Sequence, residues 1–146
     1  MVFIVFSIII IIKTHFFSAP SHIKPDNSFS KIHLSGYKKS IDNHFKGEDL
    51  VFDLILLGMG DDGHTASLFP GQAVLHEQTK WVDAYYLTPQ KMHRITLTAP
   101  LINKAEKIVV VAFGEKKINA LKEVTTGEFN PTLYPMQLIK PVSGEL

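Results

Sequence analysis

The sequence predicts an α/β fold, a partial doubly wound and mostly parallel sheet with helices on both faces. Three observations predict it. Two continuous apolar runs, Val51 to Leu57 (VFDLILL) and Ile108 to Phe113 (IVVVAF), have the length and composition of strands buried on both faces. Each run meets glycine, Gly58 to Gly63 after the first and Gly114 after the second. A helix is expected from Glu115 to about Val124, with Ile118, Leu121 and Val124 (and Ala120) as its inward stripe. Strand, glycine turn and helix in repetition build a parallel sheet, which holds ligands at the carboxyl ends of its strands.

The other elements follow in order. Met1 to Ile12 is apolar except for Ser7 and stops at Lys13. At ~1.5 Å per residue it covers roughly 18 Å, short of a ~30 Å hydrocarbon core. A secretory signal suits its length but lacks the preceding positive residue, and a buried strand suits it as well. Ser18 to Ser30 reads as loop, and Phe29 to Phe45 as a surface helix whose stripe is Phe29, Ile32, Tyr37, Ile41 and Phe45. His64 to Phe69 reads as a brief helix ended by Pro70-Gly71. Trp81 to Tyr86 and Arg94 to Thr98 read as strands, and Pro100 opens a short helix through Leu101, Ile102 and Ala105. The chain thus divides into an apolar run with its loop over 1–28 and one α/β domain over 29–146.

Composition narrows the function. The 146 residues carry 15 Lys plus Arg against 14 Asp plus Glu, a net charge of +1 that offers no basic face to a nucleic acid. Zero cysteines exclude disulfides, thiolate metal sites and cysteine nucleophiles. The seven histidines show no i, i+4 pairing near an acid, so no metal site is expected. Arg94 is the single arginine.

The chemistry gathers at Gly58-Met59-Gly60-Asp61-Asp62-Gly63-His64. The turn matches G-x-G-x-x-G, a dinucleotide fingerprint, with Asp83 about 20 residues beyond it. Two aspartates where a pyrophosphate must sit, and Pro70 cutting the following helix short, argue against that ligand. The Gly-Lys-Ser/Thr of a Walker loop and the closing acid of a calcium loop are both missing. Asp62 and His64, two apart on a tight turn, can form an acid–imidazole pair in which one nitrogen is oriented and the other takes a proton. Asp62 capping a helix beside a turn histidine is the plainer alternative. The flanking glycines allow close approach of a substrate and of backbone donors.

The stretch Asp53 to Gly71 (DLILLGMGDDGHTASLFPG) resembles the signature of the 6-phosphogluconolactonase family. Arg94-Ile95-Thr96-Leu97-Thr98 with Pro100 and Asn103, Gly114-x-x-Lys117 with Ala120-Leu121, and Pro135 to Leu146 agree in order. The resemblance covers about 50–146 and is absent from the first dozen residues. It implies hydrolysis of 6-phospho-D-glucono-1,5-lactone to 6-phosphogluconate, the second step of the oxidative pentose phosphate pathway, with no metal or redox cofactor. It also implies a cytoplasmic setting, a small-molecule partner, and neither nucleic acid nor membrane.

Carried residue by residue, the resemblance makes His64 the general base and Asp62 its orienting partner. Arg94 and Lys117 become the phosphate-binding cations, with Gly58, Gly60 and Gly63 shaping the substrate-binding turn. The related glucosamine-6-phosphate deaminases share the turn but place a glutamate five residues after the histidine, where this chain has Phe69. Nothing before Leu50 resembles the family's N-terminal half. An incomplete sheet is therefore expected, with an exposed edge open to a partner chain. Beside an active lactonase, the sequence leaves a truncated homologue that only binds a sugar phosphate, and a nucleotide-binding module.

Overall fold

A computed structural model describes residues 8–12, 15–17, 27–45 and 50–146. Its larger sheet has the order β2-β1-β3-β6, formed by Ile8–Ile12 (β1), His15–Phe17 (β2), Leu54–Gly58 (β3) and Ile108–Val111 (β6). β3 and β6 pair in parallel, Ile55 facing Ile108 and Gly58 facing Val111. β1 is antiparallel to both of its neighbours. The α/β class stands, while the described sheet is mixed rather than mostly parallel. The hairpin that β1 makes with β2 is the reason, because so short a connection joins only antiparallel strands. Within the apolar run Ile8–Ile12 is a strand, and residues 1–7 lie outside the described residues. Of the loop expected over Ser18 to Ser30, residues 18–26 lie outside the described residues and 27–30 belong to the helix that follows. Among those described, no helix is long and apolar enough to cross a membrane.

The helix expected over 29–45 is Asn27–Phe45 (α1). Tyr37, Ile41 and Phe45, spaced by four, are its buried stripe, and Phe29 and Ile32 lie outside the described side chains. This stripe packs against a separate hairpin of Val82–Leu87 (β4) and Met92–Leu97 (β5), and the Phe45 ring meets Phe52 edge-on at 5.3 Å. Burial pushes the Tyr37 hydroxyl up to about 12. After β5, Ala99–Ile102 (α2) seals the core with Leu101 and Ile102.

Three expectations change. β3 alternates fully buried Ile55 and Leu57 with half-buried Leu54 and Leu56, and β6 exposes 44% of Val109. Both runs are strands, yet neither is buried on both faces along its whole length. The helix after Gly114 opens as a 3₁₀ turn at Glu115–Lys117 and becomes α-helical at Ile118–Thr126 (α3). That change of pitch rotates the face, so Ala120 is buried while Ile118 and Leu121 are 60% and 42% exposed. Finally, residues 64–69 form no helix. Thr65 bridges Met59 on one side and Leu68 on the other, and Ala66 takes φ +51° between them. The β4–β5 hairpin imposes this shape. Thr96 Oγ1 accepts from the Ser67 amide at 3.1 Å, and Tyr85 Oη donates to the Ser67 carbonyl at 2.6 Å. Both backbone polar groups of Ser67 are thereby taken out of any helical ladder.

Candidate active site

The glycine turn leaves the sheet at the carboxyl end of β3, where parallel strands present their ligand sites. Thr65 Oγ1 donates to the Gly58 carbonyl at 2.8 Å, folding the turn back on the strand that feeds it. The amide of Gly60 donates to the His64 carbonyl at 2.8 Å, and that of Gly63 to the Gly60 carbonyl at 3.1 Å. These two amides serve the turn itself and are not free to hold a substrate oxygen. The glycines matter instead for the space they leave. A Cβ on Gly60 would lie 2.1 Å from His64 Nδ1 and 2.7 Å from Asp62 Oδ1, inside both side chains. Gly63 takes φ +75° against Tyr134, and its carbonyl accepts from the Met136 amide at 2.9 Å.

That space holds an acid–imidazole pair. Asp62 Oδ1 lies 2.6 Å from His64 Nδ1 and also accepts from the His64 amide at 3.1 Å. The hydrogen bond from His64 holds the Asp62 carboxyl below the ordinary carboxylate range. The pair stabilises the fold above the carboxyl's unfolded value, and that stability is lost as pH falls through the lower folded one. With Nδ1 engaged, Nε2 has no hydrogen-bond partner among the described residues. The His64 side chain is 18% exposed, so solvent reaches its edge while one ring face is covered.

The cover is Phe69, whose ring stacks on the imidazole with centroids 4.1 Å apart and planes 22° off parallel. The same phenyl ring has the Arg94 guanidinium carbon 5.4 Å from its centroid. Added end to end, these distances place His64 and Arg94 no more than 9.5 Å apart. Arg94 projects from β5 opposite Tyr85 and bonds the Gln90 side chain. Its Nε is buried without a partner, and no carboxylate among the described residues pairs with it. Burial lowers the guanidinium's pKa from its ordinary value, with Tyr85 opposing. A half-buried cation without a counter-ion is costly to keep, and an incoming anion relieves that cost.

Lys117 comes to the other side of the turn. Its amino group donates to the Met59 carbonyl and lies 3.9 Å from Asp61 Oδ1. The structure therefore gathers Asp62, His64, Lys117 and the glycines around one loop and brings Arg94 to it across Phe69. Sequence reasoning missed Gln90, Tyr85 and Thr96 as supports, although Thr96 stands two residues from Arg94 on one strand. No group of three or more His, Asp or Glu among the described residues could hold a metal ion.

Residues 9–146 match the family described as glucosamine-6-phosphate isomerases/6-phosphogluconolactonase. The chain belongs to this family. The human 6-phosphogluconolactonase is 41% identical over 113 residues, covering 75% of this chain and 43% of that protein. The enzyme of the same name from Synechocystis sp. is 45% identical over 96 residues, 66% of this chain and 39% of that one. The solved 6-phosphogluconolactonase of Trypanosoma brucei, 23% identical, shares the fold with a TM-score of 0.69 over 84% of this chain and 51% of its own. The chain thus spans about half the length, or less, of these family members.

Proposed function

We propose that the chain hydrolyses 6-phospho-D-glucono-1,5-lactone to 6-phosphogluconate, the reaction by which its curated relatives are named. One observation carries the reading. An imidazole steered by a carboxylate and a half-buried guanidinium with no carboxylate partner among the described residues stand within 9.5 Å, one for each end of a phosphorylated sugar. From the lactone carbonyl carbon to phosphorus there are five bonds of ~1.5 Å, roughly 6 Å along a bent path. Adding one water at the carbonyl and one hydrogen bond at the phosphate, each ~3 Å, spans that gap.

In this reading Nε2 of His64 removes a proton from a water as its oxygen attacks the lactone carbonyl. Asp62 holds the opposite nitrogen and stabilises the imidazolium. The tetrahedral oxyanion then collapses, the bond from C1 to the ring oxygen breaks, and the imidazolium returns its proton to that oxygen. One water is consumed and the product carries a carboxyl and a hydroxyl. Arg94 holds the phosphate through its planar fork, and Lys117 places a positive charge over the turn where the oxyanion forms. Phe69 favours hydrolysis over amino-sugar deamination, because a phenyl ring gives and takes no proton at the position where the deaminases carry a glutamate.

The test compares the phosphorylated lactone with glucono-1,5-lactone, subtracting spontaneous opening. The expected result is catalysis of the phosphorylated lactone, with KM rising about tenfold or more in Arg94→Ala and kcat changing far less. No catalysed opening by the unsubstituted chain would contradict the assignment.

A further inference from the structure

We infer that Phe69 is a positioning residue, the spacer that fixes the His64 ring relative to Arg94. The inference rests on the functional reading above and goes beyond it by assigning a role to a side chain that exchanges no proton and binds no phosphate. Phe69 is 7% exposed, so its ring is held by the protein. Its own placement is over-determined. The turn before it is tied to the hairpin through Ser67, at the amide by Thr96 and at the carbonyl by Tyr85. Tyr85 pairs across the hairpin with Arg94 itself. The Phe69 backbone carbonyl accepts from the Gln72 amide at 3.3 Å beyond Pro70. The strand that carries the guanidinium therefore also sets the ring against which the imidazole lies.

The two neighbours depend on Phe69 unequally. Arg94 keeps its place on β5 and its contact with Gln90 whatever stands at position 69. Among the described residues His64 has one side-chain hydrogen bond, at Nδ1, and the stack on Phe69 opposes rotation about that bond. Loss of the ring should therefore release His64 and leave the phosphate anchor nearly as it was. A misplacement of ~1 Å costs as much as ~10²-fold in rate.

The experiment uses the full chain with Phe69→Leu and Phe69→Tyr, read by kinetics and by NMR of the His64 ring protons. In the unsubstituted protein the facing phenyl ring should displace these signals upfield; Leu should abolish the displacement and Tyr should retain it. Phe69→Leu should lower kcat ~10- to 100-fold with KM changed less than threefold, and Phe69→Tyr should restore most of it. Undisplaced His64 signals in the unsubstituted protein overturn the inference without any variant having to fold. So does full kcat in a folded Phe69→Leu. An unsubstituted chain that opens no lactone overturns the functional reading, while the NMR signals still decide whether Phe69 holds the ring.

Discussion

Alanine at position 60 should abolish turnover and leave the protein folded. The added methyl would sit 2.1 Å from His64 Nδ1, 2.3 Å from Cε1 and 2.7 Å from Asp62 Oδ1, all three in side chains rather than backbone. Side chains at the edge of a turn can swing away. The fold should therefore survive, with the imidazole expelled from its carboxylate. The expected loss approaches that of removing the base itself, ~10²- to 10⁴-fold in kcat. The check is paired, a rate beside a melting curve. Retained activity would mean that the turn relaxes without disturbing His64, and that the narrow space at Gly60 is unrelated to catalysis.

His64→Ala should lower kcat by ~10²- to 10⁴-fold, the range expected for a positioned general base. Melting should change little, because the His64 side chain is partly solvated and its hydrogen bond goes to a half-exposed carboxylate. Binding of 6-phosphogluconate should persist, since Arg94, the proposed phosphate anchor, lies on β5. This separation of kcat from binding distinguishes a base from a turn residue that merely shapes the pocket. The plainer alternative, Asp62 as a helix cap, loses its helix, because residues 64–69 are a bridged turn.

The pattern of apolar runs and glycine turns made the strand–turn–helix order legible, since period and length are local properties of the chain. The Asp62–His64 pair was legible for the same reason, two residues on one tight turn. Non-local facts were hidden. Residues 64–69 read as a helix because they lack a breaker before Pro70, and it is the Thr65 bridges together with tertiary hydrogen bonds between Ser67 and the Thr96 and Tyr85 side chains that hold them as a turn. Of the stripe expected on α3, Ala120 and Val124 face the core while Ile118 and Leu121 do not, because the 3₁₀ opening at Glu115–Lys117 leaves no periodic signal. Ile118 and Leu121 on α3, and Val109 on β6, are exposed, which no spacing argument could have located. Phe69 read as part of a family signature, whereas its service to both His64 and Arg94 emerges only once the hairpin folds over the turn.

The proposed reaction requires His64 and Arg94 to belong to one site that spans a single phosphorylated sugar. Titrating 6-phosphogluconate into the unsubstituted chain while watching the His64 ring protons measures this directly. The predicted result is a saturable displacement of those signals that Arg94→Ala shifts to at least tenfold higher ligand concentration. Saturable binding that leaves the His64 signals unmoved, or that is indifferent to Arg94, would contradict it.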